Sequence, residues 1–322
     1  MSATDLPRLG IVLSTVTEGP PQEFVDIGQL AEQHGYESVF VNEGRGDAIA
    51  CAEAIALGTQ RIVTGTNIAN IYFRHPFLAA ATTRTVVELS AGRFILGLGM
   101  SHRALLRSLD IDMGDARETL RTYTSSVRAG LRGEAGSGFL KQPAAAFPAP
   151  VYVAANTVES AVVAGACGDG IMPFLSPLSY LPQLLDAARN AHTDEAPFGC
   201  ILSIPTFVSD DEAAARSAAR YNLAFFSQLP NYRRQWRRAG FTTAMDAARA
   251  SWAEGSRHAA AKQIPDELID EVCVYGTAAR CRAQLQAFRD AGADVPLLAV
   301  SPVNDDRLSA TRKAIVALAP GR

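Results

Sequence analysis

No stretch of this chain reaches the roughly 18–20 uninterrupted apolar residues that a membrane-spanning helix needs, so no span is expected. Met1–Pro7 is short and polar ahead of the first apolar run and lacks the charged and apolar regions of a secretory leader. The five cysteines, Cys51, Cys167, Cys200, Cys273 and Cys281, stand apart in apolar or helical contexts. None forms a CxxC pair or keeps ligand spacing to a histidine, which removes the usual metal-site patterns and points to a reduced, cytoplasmic setting. Charge of one sign is also missing: 30 basic against 33 acidic residues leave a net −3. Such a chain has no general field for nucleic acid or an anionic membrane, and a small-molecule partner is expected instead. There is no internal repeat.

What the chain does have is an apolar majority spread evenly, 48% hydrophobic with 20% charged residues, which describes a folded globular protein. Its 322 residues exceed the ~250 of a typical (β/α)₈ barrel but still suit one core, and residues 1–322 are read as a single domain. Apolar runs of strand length alternate with amphipathic stretches of helix length. Strands are expected at Leu9–Ser14, Ser38–Asn42, Ile62–Ala69, Phe94–Gly99, Val151–Ala155, Gly170–Phe174, Gly199–Val208 and Leu297–Ser301. Pro21 opens the first helix, Asp47 caps the second, Pro76 starts the third, and Thr277 or a neighbour starts the helix that ends near Gly292. Asn156 with Glu159 three residues on resembles a capping box. Eight strand–helix alternations predict an α/β fold, a (β/α)₈ TIM barrel, with a doubly wound open sheet as the rival. Gly133–Pro150 reads as a loop, and residues 210–265 as a helical insertion before the last strand.

In a barrel the residues just past each strand collect the chemistry. The richest such stretches are Asn42–Asp47, Asn67–Pro76 and Gly97–Arg103. The run GTNIANIYFRHPFLAAATTRTVVELSAGRFILGLGMSHR, Gly65–Arg103, resembles the luciferase-like monooxygenase superfamily, nearest its coenzyme F420-dependent oxidoreductases such as methylene-tetrahydromethanopterin reductase. The likeness continues more weakly through Ala149–Phe174, and the segment from Pro205 to Pro265 carries no family motif.

That resemblance implies hydride transfer with coenzyme F420, or FMN as the alternative cofactor, its ring across the barrel mouth and its phosphate near the loops after strands 4 to 6. It also implies a homodimer and a cis peptide between Asn67 and Ile68. The cofactor residues it points to are Asn67, Ile68, Gly97, Gly99, Met100, Ser101, Ala155, Asn156 and Thr157. Gly97 and Gly99 allow close approach of a ring to backbone, or else only tight packing. Asn156 and Thr157 open a helix whose free N–H groups would suit a phosphate, although relatives often carry Gly-Gly-Pro here. Glu43 stands where F420 enzymes often place a histidine, and His102 where some relatives place a glutamate. Both are catalytic candidates, set against an ion pair of Glu43 with Arg45 or Arg74 and a surface role for His102. Arg74 is a candidate for binding a negative substrate group, and His75 a helix cap. The run Arg233, Arg234, Arg237, Arg238 reads as a solvated helix face, with the acidic tail of a deazaflavin as its functional option. An FMN-dependent monooxygenase and a noncatalytic flavin-binding barrel are the competing functions.

Overall fold

The computed structural model describes residues 8–17, 19–253 and 255–321. Met1–Pro7, read above as lacking a leader, lies outside the described residues. Ten strands occur among them: β1 (Gly10–Ser14), β2 (Ser38–Asn42), β3 (Val63–Thr66), β4 (Ala69–Asn70), β5 (Phe94–Gly99), β6 (Val151–Ala154), β7 (Gly170–Met172), β8 (Gly199–Val208), β9 (Val274–Gly276) and β10 (Val295–Val300). All pairings are parallel, and β10 bonds to both β8 and β1, so β1, β2, β3, β5, β6, β7, β8 and β10 close into an eight-stranded barrel. An open doubly wound sheet would leave two edges, and this closure excludes it.

Both faces of the barrel wall are buried, and the period-two alternation of a strand divides the residues between them. Ile11 and Leu13, Val39 and Val41, Leu96 and Leu98, and Val151 and Val153 point outward into the core shared with the helices. Val12, Phe40, Ile95, Tyr152, Met172, Ile201 and Leu297 fill the barrel interior as a separate cluster. The expected caps form where a side-chain acceptor reaches the first free N–H groups. Asp47 accepts from Ile49 and Ala50, His75 Nδ1 from Phe77, and Thr277 from Arg280. The capping box near residue 156 lies one residue later than expected, between Thr157 and Ser160, because Asn156 Oδ1 instead accepts from Phe174 N and ties β6 to the end of β7.

The third strand, expected to run unbroken over Ile62–Ala69, stops at Thr66 and resumes as β4; the Asn67–Ile68 peptide between the two is cis, as expected. Between β8 and β9, helices occupy Glu212–Ser227, Pro230–Arg238, Thr242–Ala253, Arg257–Ala261 and Asp266–Val272. The helical stretch therefore passes Pro265, and β9 then pairs with the far end of β8, Thr206 opposite Val274. These helices enclose an apolar cluster of their own, around Leu223, Trp236, Met245 and Leu268. No helix among the described residues is long and apolar enough to cross a membrane.

Candidate active site

The last interior position of several barrel strands is polar, although the interior below it is apolar. Ser14 ends β1, Asn42 ends β2, Asn67 follows β3 and Ser203 sits on β8. They are linked: Ser14 Oγ donates to Asn42 Oδ1 (3.5 Å), Asn42 Nδ2 to the Asn67 carbonyl (3.0 Å), and Ser203 Oγ to Asn67 Oδ1 (2.9 Å). Polar groups that face a barrel interior are retained when satisfied, and here β2 and β8 each bond Asn67 while Ser14 of β1 bonds Asn42. Asn67 and Ile68 both remain partly exposed above this layer, so an amide and a branched apolar side chain face the mouth together. Ser14 and Ser203 were missed in the sequence, and Asn42 was named there only as the start of a strand-end stretch, without a role. The available signal was a lone polar residue at an inward-facing position of an otherwise apolar strand.

Gly97 and Gly99 face the same interior, but protein atoms fill the space their missing Cβ atoms leave. A Cβ at Gly97 would collide with the Thr66 carbonyl and Met172 Sδ, and one at Gly99 with Ile68. Thr66 closes the junction by donating to Gly97 O (2.7 Å) and accepting from Gly97 N (2.9 Å). The glycines thus set how closely β3 and β5 approach and where Ile68 rests, which is the packing reading rather than direct contact with a ring. Met100 and Ser101, just beyond, are partly exposed, with Ser101 in the left-handed region at φ 59°.

Glu43 and Arg74 are brought together and are not free for substrate. Arg74 Nη2 lies 2.5 Å from Glu43 Oε1 and Nη1 lies 3.1 Å from Oε2, with side-chain exposures of 11% and 2%. Glu43 also accepts from Asn70 N (2.5 Å) and Ala48 N (3.4 Å), and Asp47 bonds Arg74 from outside (3.0 Å). Burial works against the Arg74 charge, yet the bonds and charges of Glu43 and Asp47 outweigh it and hold its pKa above the ordinary value. The catalytic reading of Glu43 and the substrate-binding reading of Arg74 therefore give way to an ion pair. Its role is to fix the stretch from Asn70 to Arg74 against the start of the helix capped by Asp47.

The helix start at Asn156 and Thr157 is also closed. Both backbone N–H groups donate to Ser160 Oγ (3.1 and 3.0 Å), and Ser160 N returns to Thr157 Oγ1 (3.3 Å). Glu159, two residues on, is held by Arg238 through two bonds of 2.8 and 2.7 Å, and that pairing, foremost, pulls its pKa to about 2. Phosphate capture by the Asn156 and Thr157 N–H groups is thus pre-empted by the protein's own hydroxyl. The side chains of Asn156 and Thr157 stay partly exposed, while Ala155 is buried.

His102 precedes the helix Arg103–Ser108 without capping it. Its ring packs edge-on against Tyr232 at 5.8 Å, within an aromatic group that includes Phe174 at the end of β7 and Phe226. Burial lowers its pKa below 6.5, so at neutral pH it is an uncharged imidazole. The basic run does not form a solvated face throughout: Tyr232 and Trp236 are buried in it, Arg233 donates to the Ser227 and Gln228 carbonyls, Arg237 pairs with Asp246, and Arg238 with Glu159. Among the described residues no group of His, Cys, Asp and Glu could hold a metal.

The strand-end residues suit the chemistry of the flavin-type group that the sequence resemblance implies. Ile68 and Met100 offer apolar surface, and Asn67 an accessible amide. Asn70 Nδ2, at the same strand end, is a buried donor with no protein acceptor. Apolar faces beside unsatisfied amide donors fit a planar heteroaromatic ring edged with carbonyls. A protein of Mycobacterium tuberculosis provisionally named a coenzyme F420-dependent oxidoreductase is 28% identical, over 88% of this chain and 92% of that one. The 5,10-methylenetetrahydromethanopterin reductase of Methanolobus tindarius is 25% identical over 92% and 95%. In three dimensions the coenzyme F420-dependent tetrahydromethanopterin reductase of Methanopyrus kandleri superposes with a TM-score of 0.77 at 18% identity, covering 98% of this chain and 97% of that one. The profile of the luciferase-like monooxygenase family matches residues 8–295, nearly the whole barrel just described, and the chain belongs to that family of enzymes.

Proposed function

We propose that the protein transfers a hydride between coenzyme F420 and a small organic carbonyl, imine or activated alkene. The observation that carries this reading is the polar layer of Ser14, Asn42, Asn67 and Ser203 beneath a partly exposed Ile68, a built platform at the barrel mouth. The F420-dependent names of the relatives above support the choice of cofactor, and membership of a family of enzymes stands against a noncatalytic barrel. Bound F420 would supply or accept the hydride. Asn67, Ile68, Met100 and Ser101 would hold its ring, and His102 would exchange the accompanying proton with the substrate oxygen or nitrogen. Equilibrium titration of the purified chain with F420 and with FMN, followed by turnover assays, tests the proposal. Tighter F420 binding with substrate-dependent oxidation or reduction is expected. Preference for FMN with oxygen consumption would replace it by a monooxygenase, and binding without turnover by a noncatalytic barrel.

His102→Ala is expected to lower turnover at least tenfold while leaving cofactor affinity within a few-fold. In the direction that oxidises the substrate, the neutral ring takes up the proton released as the hydride leaves, so that activity holds at pH 7 and falls as the pH drops below 6.5 through the lowered pKa. The same shift touches stability. The unfolded state takes up the proton first, so this residue's contribution is complete above 6.5 and declines as the pH falls towards the folded value. A pH–rate profile whose acid limb survives in His102→Ala would remove His102 from the chemistry.

A further inference from the structure

A cleft of about 710 Å³ opens between the inserted helices and the loop after β10, lined by Phe207 of β8 and by Ser301 just past β10. Its volume falls within the ~300–1,000 Å³ of small-molecule sites. Arg220, Arg257, His258, Lys262 and Arg307 all line it, and among the described lining residues there is no carboxylate. In a chain of net charge −3 this local excess of cations is not a consequence of composition.

The cations differ in how far the protein already uses them. Arg220 is bonded to Asp266, which does not line the cleft. Arg257 is held in place: its Nε donates to the Tyr221 carbonyl (2.9 Å) and its guanidinium carbon lies 3.8 Å from the centre of the Tyr221 ring. Among the described residues no carboxylate pairs with its guanidinium, and burial, foremost, lowers its pKa with only Tyr221 set against it. Arg307 spends one nitrogen on the Val300 carbonyl (2.6 Å), and Lys262 is exposed with no partner among the described residues. An oriented guanidinium that no described carboxylate pairs with, backed by an aromatic ring and sharing the cleft with an exposed ammonium, is a receptor for an oxyanion. Phe207, Ala218 and Val303 add apolar wall, and Asn222 Oδ1, also in the lining, is buried with no donor.

We infer that this cleft binds an organic phosphate or carboxylate, the anionic group on Arg257, Lys262 and Arg307 and an apolar body against Phe207 and Val303. The inference rests on the cleft alone and not on the identity of the cofactor. Its test uses the full chain without cofactor, titrated calorimetrically with phenyl phosphate and benzoate, and with phenol as the neutral control. At least one of the two anions is expected to bind at one site per chain, at least tenfold tighter than phenol and more weakly as salt is raised. Lys262→Glu, an exposed position whose reversal leaves the fold intact, and Arg257→Ala should each weaken that binding at least tenfold. Anions that bind no tighter than phenol, or equally well to both folded variants, would overturn the inference. Displacement of the bound anion by coenzyme F420 would also overturn it, assigning the cleft to the cofactor's acidic tail. Failure of F420 and FMN to bind, with the anion results intact, would sink only the proposed function.

Discussion

Replacing Glu43 by alanine is expected to lower the free energy of unfolding by about 3–5 kcal/mol, a fall in Tm of roughly 4–7 °C. The magnitude follows from what is left behind. Arg74, 11% exposed, would keep its charge with only the half-exposed Asp47 as a partner, and the Asn70 N–H would lose its acceptor. An uncompensated buried charge costs more than the pair was worth, so the loss exceeds that of any surface ion pair. Glu43→Gln, which keeps an acceptor oxygen but not the charge, should lose less. The double variant Glu43→Ala with Arg74→Met should recover part of the deficit, because the orphaned charge goes with its partner. Denaturant unfolding of the four proteins measures this. A Glu43→Ala protein of parental stability with abolished turnover would return the carboxylate to the chemistry.

Trp236→Ala is expected to cost a comparable 3–5 kcal/mol, but in a different part of the molecule. The indole is completely buried among the inserted helices, and its N–H donates to the Leu175 carbonyl (3.0 Å) immediately after β7. Tyr232, one turn earlier, meets both Phe174 and His102, so this short helix fastens the insertion to the barrel mouth. Removing the indole leaves a cavity at that joint and an unpaired carbonyl. Hydrogen exchange should accelerate over 212–272 with little change in β1, β2 and β10. Trp236→Phe, which loses the N–H but keeps a ring, should cost about 1–2 kcal/mol. Uniform loss of protection across the barrel would show that the joint is not local.

The barrel itself was legible because its determinants are local. Strand-length apolar runs, Pro21, Asp47 and Thr277 at helix starts, and glycines at helix ends each act within a few residues of chain, so spacing alone carries them. The motif from Gly65 to Arg103 likewise announced the family and the cis bond at Asn67. Short or ambiguous pieces were harder. Val274–Gly276 is three residues long and acquires strand geometry only by pairing with the overlong β8. The cap at Thr157 was misplaced by one residue because Asn156 is equally able to cap a helix, and the choice was made by Phe174 N, 18 residues away.

The functional groups divide along the same line. Sequence by itself determined which residues stand at the strand ends, since order along the chain and the period of a strand put Asn42, Glu43, Asn67, Ser101 and His102 at one end of the barrel. Only the tertiary structure decided what each is free to do. Glu43 and Arg74 are 31 residues apart and neutralise one another; Gly97 is pressed against Thr66 and Met172; Ser203 reaches Asn67 across 136 residues. Arg257, by contrast, has tyrosine on one side and no carboxylate among the described residues that line its cleft. A charge is spent or available according to its neighbours within a few ångströms, and barrel closure, not proximity along the chain, chooses those neighbours.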